Sequence, residues 1–268
     1  QIFYSSYIST YIERDVKDLS DSIDSLKFLR FITSVAARCS QMLNVADIAQ
    51  DADINQQQAK NWLGILETLG LIFYLHPYSN NLLKRLVKTP KLYFYDTGLV
   101  CYLTKWSNAE TLEAGAMNGA ILENYVVSEI AKTYLNSGKE PFMYYYRDKD
   151  AKEIDIVLEH DGILNPLEIK KKQPNPGSEL TKVFSLLDKA STPRGKGAIL
   201  CMKPALGAID KKTILFQLDD LRFIYLHRNV KLPAFLRRAV FSYSLNYHYI
   251  SRLDRSAQFF NFLLCQHR

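Results

Sequence analysis

Apolar positions recur at helical spacing over residues 2–19 (IFYSSYISTYIERDVKDL), where tyrosines mix with aliphatics before the sequence turns acidic. They recur over residues 24–39, with Leu26, Leu29, Phe31, Ile32, Val35 and Ala36 apolar. Both stretches are predicted helices. Residues 44–78 divide further. Asn44 caps a short helix from Val45 to Gln50, a polar turn spans Asp51 to Ile54, and a second helix runs from Asn55 to Thr68 before Gly70 closes it. An apolar run, LIFYLHPY, follows, and KRLVKTPKLYFYDTG (84–98) adds a basic loop and a strand. Trp106 to Gly115 reads as a linker. The helical period returns from Asn118 to Leu135, with Ile121, Leu122, Tyr125, Val126, Ile130 and Tyr134 on the apolar face. It then changes to two: PFMYYYR is a strand, Asp148-Lys149-Asp150 a turn, and EIDIVLEHDGILNPLEIK (153–170) a hairpin. Pro174-Asn175-Pro176-Gly177 breaks the chain before a helix over 178–190, and strands follow in 195–202 and 213–218. From residue 118 the order is α-β-β-β-α-β.

The hairpin carries the candidate chemistry. A two-residue loop at Asp161-Gly162 would pair 160 with 163 and, counting outward, 155 with 168 and 153 with 170. Opposed residues lie roughly 5 Å apart on one face. Asp155, Glu168 and Lys170 are then neighbours, with Ile154, Ile156, Leu167 and Ile169 on the other face. Two carboxylates opposed in this way repel unless a cation offsets them. Mg²⁺ prefers hard oxygen ligands and keeps several of its waters, and a nearby lysine can orient or deprotonate an attacking water. This set suits phosphodiester hydrolysis. A solvated strand face gives the same alternation without any chemistry.

Composition narrows the field. With 268 residues and 47% hydrophobic positions, the chain has material for two globular domains. No apolar run approaches the ~20 residues of a membrane span. Cys39, Cys101, Cys201 and Cys265 are scattered, which points away from zinc and toward a reducing cytoplasm. The net charge of +6 is uneven: of 34 basic and 28 acidic residues, eight and one fall in 222–268. That tail also holds ten Phe and Tyr, and reads either as a nucleic-acid-binding extension or as sequence foreign to the ancestral domain. The rest is close to neutral, so any grip on DNA must come from local patches. Helix, short turn, helix over 44–68 is a helix-turn-helix layout, and the following apolar run completes a winged helix. Its second helix opens with Gln56, Gln57 and Lys60. Amides of this kind bond adenine edges and lysine reaches phosphate, while Lys84, Arg85 and Lys88 form a basic patch nearby. Many winged helices contact only proteins, so a partner protein is the competing reading. The chain opens at Gln1 inside an apparent helix, which reads as part of something longer.

The α-β-β-β-α-β order with D…E-x-K on strands two and three resembles the restriction-endonuclease-like superfamily. That resemblance adds Glu123, on the preceding helix, as a third metal ligand beside Asp155 and Glu168. A closer resemblance rests on YISTYIERDV, KTPKLYFYDTGL, LENYVVSEI, YYRDKDAKEIDIV and LEIK. Together these look like the C-terminal part of a bacterial and archaeal AAA-type ATPase family, in which a P-loop domain precedes a winged helix and a nuclease-like domain. This chain has no G-x-x-x-x-G-K-[ST], so no ATP site of that type is expected in it. The resemblance implies an α+β protein with a helical winged-helix domain over 1–110 and a restriction-endonuclease-like domain over 111–221; the basic aromatic tail from 222 departs from the family pattern. It implies an upstream ATPase domain as neighbour, while DNA as target rests on the residue reading above. Two activities remain open at this stage, Mg²⁺-dependent cleavage of DNA and a silent nuclease fold that serves as a DNA- or protein-binding appendage.

Overall fold

The computed structural model describes residues 2–12, 24–81, 88–171, 180–202, 207–209 and 212–217. They form a mixed α+β structure with one two-stranded and one six-stranded sheet. The tail from 222, with its proposed basic role, lies outside the described residues, as do Lys84 and Arg85. Contacts divide the chain into two units. The first comprises the described residues of Gln1–Tyr74 and Lys91–Tyr125, the second those of Leu75–Pro90 and Val126–Arg252.

In the first unit α1 (Ile2–Ser6) continues as a π-helix over Tyr7–Ile12. The Tyr4 hydroxyl donates to both carboxylate oxygens of Asp96, at 3.0 and 3.2 Å, and burial together with that carboxylate pushes its phenol far above the usual range. Helix α2 (Ser25–Ala37) starts where the Asp24 carboxylate accepts from the Leu26 and Lys27 amides. It buries Phe28, Phe31, Ile32, Val35 and Ala36. Leu26 and Leu29, expected on the same face, are 60% and 40% exposed. The seam runs instead through Phe28 and Phe31, whose rings both meet Trp62 edge-on at centroid distances of 5.3 and 5.2 Å.

Trp62 comes from α4 (Gln56–Thr68), which Asn55 caps through the Gln58 amide. It follows α3 (Val45–Asp51), capped by Asn44. Gly70, at φ 67°, ends α4 in the left-handed region open to glycine. Strands β1 (Ile72–Leu75) and β2 (Lys91–Phe94) then pair as the small sheet. Helix α5 (Thr97–Leu103) is capped by Asp96. Residues 106–115, expected as a linker, contain helix α6 (Ala109–Ala114), capped by Asn108. Trp106 lies so close over Gly115 that a Cβ there would fall 2.2 Å from its ring. The long helix α7 (Asn118–Asn136) follows.

Asp51 ties α3 to α2. Ser34 Oγ donates to it at 2.8 Å and Arg38 pairs with it at 2.7 Å. Those two partners, the hydroxyl first, hold its carboxyl below the usual range. A depressed carboxylate stabilises the native state above its unfolded pKa, and the gain is lost as pH falls through the folded value. Because this pair is largely open to solvent, its worth is about 0.2–1 kcal/mol. Asp51→Asn should therefore be slightly less stable than wild type near neutrality. The two urea midpoints should converge below about pH 4.

In the second unit the large sheet has the order β3-β4-β5-β6-β8-β7. Its strands are β3 (Met143–Arg147), β4 (Glu153–His160), β5 (Ile163–Lys170), β6 (Gly197–Cys201), β7 (Gly207–Ala208) and β8 (Thr213–Gln217). The first three run antiparallel, β5, β6 and β8 are parallel, and β7 is antiparallel to β8. Helix α8 (Leu180–Phe184), extended as a 3-10 turn over Ser185–Lys189, connects β5 to β6. The helix, three strands, helix and strand read from the sequence are all present, as is the strand read at 213–218 (β8); the two-residue β7 is additional. Outside β3, residues 76–78 add a short extended stretch: the Tyr78 amide donates to Tyr145 O at 2.7 Å, and the Tyr145 amide to His76 O at 3.1 Å.

Phe184 and Leu187 pack on one face of this sheet, against Ile154, Val157, Leu164, Ile199 and Leu215. Gly197 lies directly beneath Phe184; a Cβ there would sit 2.7 Å from two ring carbons. Gly197→Ala should cost about 1–3 kcal/mol through overpacking, read as a lower urea midpoint at unchanged slope.

Candidate functional site

The hairpin of β4 and β5 positions the candidate residues. Asp161 and Gly162 adopt φ of 50° and 70°, the two positive values of a type I′ turn, for which Asp-Gly is a preferred pair. His160 pairs with Ile163, Glu159 with Leu164, Leu158 with Asn165, Val157 with Pro166 and Ile156 with Leu167. The paired register ends at Ile156 and Leu167, one residue short of Asp155 and Glu168. Asp155 Oδ2 accepts from the Ile169 amide at 2.7 Å, so its carboxylate reaches across to β5 and is held by backbone. Lys170 Nζ donates to Glu168 Oε1 at 2.6 Å. Both contacts fall on consecutive residues of β5, Glu168 to Lys170.

Burial distinguishes the two acids. Glu168 is 5% exposed because β5 is an inner strand, and Glu168 and Lys170 lie level with Ile199 and Cys201 of β6. A buried carboxylate is costly unless a cation and hydrogen bonds compensate it, and Lys170 supplies the charge. Asp155 is half-buried.

The alternation expected along β4 fails at this point. Tyr144 pairs with Val157 but Tyr146 with Ile154, so β4 carries one extra residue around Asp155–Ile156. Ile154 consequently joins Val157 in the Phe184 cluster, not Ile156 on the opposite face. Glu153, expected to oppose Lys170, pairs with Arg147 of β3 at 3.3 Å. The irregularity spans Asp155 and Ile156, between Ile154 and Val157.

Residues 118–220 match DUF4143, a domain of unknown function. Asp155, Glu168 and Lys170 all lie inside that stretch. Residues 1–110 match a second domain of unknown function, DUF8612. Uncharacterized proteins of Mycobacterium bovis and Mycobacterium tuberculosis are each 30% identical over 165 residues. That alignment takes in 62% of this chain and 36% of either relative. No solved structure matches.

Glu123, the third expected ligand, lies near the start of α7 in the first unit. Its Oε1 accepts from Tyr93 Oη at 2.6 Å and from Lys91 Nζ at 2.9 Å. Among the described residues no three His, Cys, Asp or Glu side chains are grouped as a metal site would require.

On α4, Gln56, Gln57 and Lys60 are exposed, and Gln57 Nε2 donates to Asn61 Oδ1 at 3.0 Å on the same face. Lys88 of the second unit is also exposed. Among the described residues no helix is long and apolar enough to cross a membrane. None of Cys39, Cys101 and Cys201 is in a disulfide. Burial pushes the Cys101 thiol up to about 12 and that of Cys39 higher still, which leaves both unreactive.

One residue escaped the sequence reading. Asn124 is fully buried; its Oδ1 accepts from the Phe94 amide at 2.8 Å, and its Nδ2 donates to Phe94 O at 3.1 Å and to Thr97 Oγ1 at 3.0 Å. It fastens α7 to the end of β2. The available signal was a lone amide between Ile121-Leu122 and Tyr125-Val126, in a stripe otherwise apolar.

Proposed function

We propose that the second unit is a restriction-endonuclease-like domain that cleaves DNA with Mg²⁺ held by Asp155 and Glu168. The observation that supports this reading is that the Asp155 carboxylate accepts from the Ile169 amide of β5, the residue after Glu168, whose own carboxylate takes the Lys170 ammonium. The donor set fits the ion: Mg²⁺ takes one or two carboxylates and completes its shell with water. Bound there, it would stabilise charge on the scissile phosphate and supply an activated water. Ile169 N–H fixes one oxygen of Asp155, and Lys170 lies within reach of a water beside Glu168. The engagement of Glu123 with Lys91 and Tyr93 fits a structural role better than a third ligand.

We further propose that α2, α3 and α4 with β1 and β2 form a winged helix. It would offer Gln56, Gln57 and Lys60 to DNA, and the basic stretch of Lys84, Arg85 and Lys88 is a separate candidate for phosphate contacts on its sequence. The matched relatives are much longer than this chain, which suits an upstream AAA-type ATPase domain as its neighbour in a parent protein. Buried thiols outside any disulfide suit a cytoplasmic setting.

A second reading, a silent nuclease fold acting as a binding appendage, draws on one specific observation. Residues 45–68 carry four acids (Asp47, Asp51, Asp53, Glu67) and one lysine, a charge balance that favours a partner protein over DNA. The test incubates the purified chain with plasmid and single-stranded DNA in Mg²⁺. The nuclease reading expects cleavage that EDTA and Asp155→Asn both remove. Cleavage unchanged by Asp155→Asn sinks it, and Mg²⁺ binding without cleavage favours the appendage.

A further inference from the structure

We infer that Lys170 is a resident counter-ion for Glu168 that yields its place to the divalent cation, so that lysine and metal compete for one buried carboxylate. This rests on the metal reading of Asp155 and Glu168 and adds how that site is held before the ion arrives. The two acids are secured differently. Asp155 Oδ2 takes the Ile169 amide at 2.7 Å, a fixed backbone dipole that carries no full charge and cannot swing away. Glu168 takes the Lys170 ammonium at 2.6 Å, a full positive charge on a flexible stem.

Exposure gives the pair its asymmetry. The Glu168 side chain is 6% exposed and cannot be left without a positive partner, whereas that of Lys170 is 37% exposed and can turn to water at little cost. Residues two apart on a strand share a face, so Lys170 released from Glu168 remains beside the site. The arrangement lets the sheet fold without metal. It also makes divalent affinity a difference between two cations competing for the same oxygens, and it delivers a freed ammonium next to the reacting water only when metal is present.

Two measurements on the full chain test this. In calorimetry with Mg²⁺ or Mn²⁺, Lys170→Met should bind about tenfold more tightly than wild type, and Lys170→Arg, which keeps the charge, about as wild type. The thermal midpoint of Lys170→Met should also rise more on adding the ion. In wild type, acetylation of Lys170 by an amine-reactive reagent, read by mass spectrometry, should increase on adding Mg²⁺. In Glu168→Gln it should be high with or without the ion. A Lys170→Met affinity equal to or weaker than wild type, or Lys170 labelling indifferent to Mg²⁺, overturns the inference and leaves the metal site standing. If neither wild type nor any variant binds a divalent cation, the metal reading itself fails. Should Lys170→Met fold poorly, Lys170→Gln serves in its place, and the labelling of wild type decides independently.

Discussion

If the second unit cleaves DNA as proposed, Lys170→Met should reduce that Mg²⁺-dependent cleavage by a factor on the order of 10²–10⁴, the usual range for losing a group that orients or deprotonates the nucleophile. Methionine keeps most of the aliphatic stem but has neither donor nor charge. The loss should fall on the single-turnover rate, because the two carboxylates that would hold the ion are untouched. The same substitution leaves Glu168 buried beside an uncharged neighbour, so some stability should be lost in EDTA and recovered in Mg²⁺. Glu168→Gln together with Lys170→Met removes both charges and controls for this: it should be at least as stable as Lys170→Met in EDTA and equally inactive. A Lys170→Met protein that cuts at the wild-type rate would place the catalytic lysine elsewhere.

Glu123→Ala should destabilise the first unit by about 3–5 kcal/mol, the cost of stripping the acid from a buried ion pair. Lys91 is 4% exposed and Tyr93 is fully buried, and both direct a polar hydrogen at one oxygen of Glu123. Alanine removes that acceptor and leaves the Lys91 ammonium and the Tyr93 hydroxyl without their shared carboxylate. Glu123→Gln keeps an acceptor for Tyr93 and should cost less, although its neutral amide no longer balances Lys91. Urea titration followed by tryptophan emission reports on this unit, since Trp62 and Trp106 both belong to it. A loss below 1 kcal/mol for Glu123→Ala would show that the network stabilises little and would return Glu123 to consideration as a ligand.

The parts of the fold that were legible in the sequence are those set by neighbours along the chain. Asn44, Asn55 and Gly70 mark helix ends because caps act within three or four residues. Asp161-Gly162 fixes the hairpin offset because a type I′ turn requires two positive φ values in succession. The features that were missed depend on distant partners. The bulge at Asp155 appears only through pairing with β3, and a period-two pattern carries no mark of an inserted residue. Leu26 and Leu29 fit the apolar stripe of α2 as well as Phe28 does; Trp62, more than thirty residues further on, decides which side is covered. Residues 106–115 read as a linker because Trp106 and Gly115 punctuate them, yet Asn108 was a usable cap. For the candidate site, the register from His160–Ile163 to Ile156–Leu167 could be counted from the turn. The attachment of Asp155 to the Ile169 amide, and of Glu123 to Lys91 and Tyr93, could not.

The division of the chain has a consequence for how such a protein could be assembled or taken apart genetically. The chain crosses between its two units after Tyr74, Pro90 and Tyr125, while the two family matches meet between residues 110 and 118. A recombination event at that family junction would separate Asn124 from the Phe94 backbone and Glu123 from Lys91. Each of the exchanged pieces would then carry half of a buried polar network into a new context. The two halves are thus expected to be inherited and to diversify together, and shuffling at this junction should be tolerated only where the incoming piece restores both contacts.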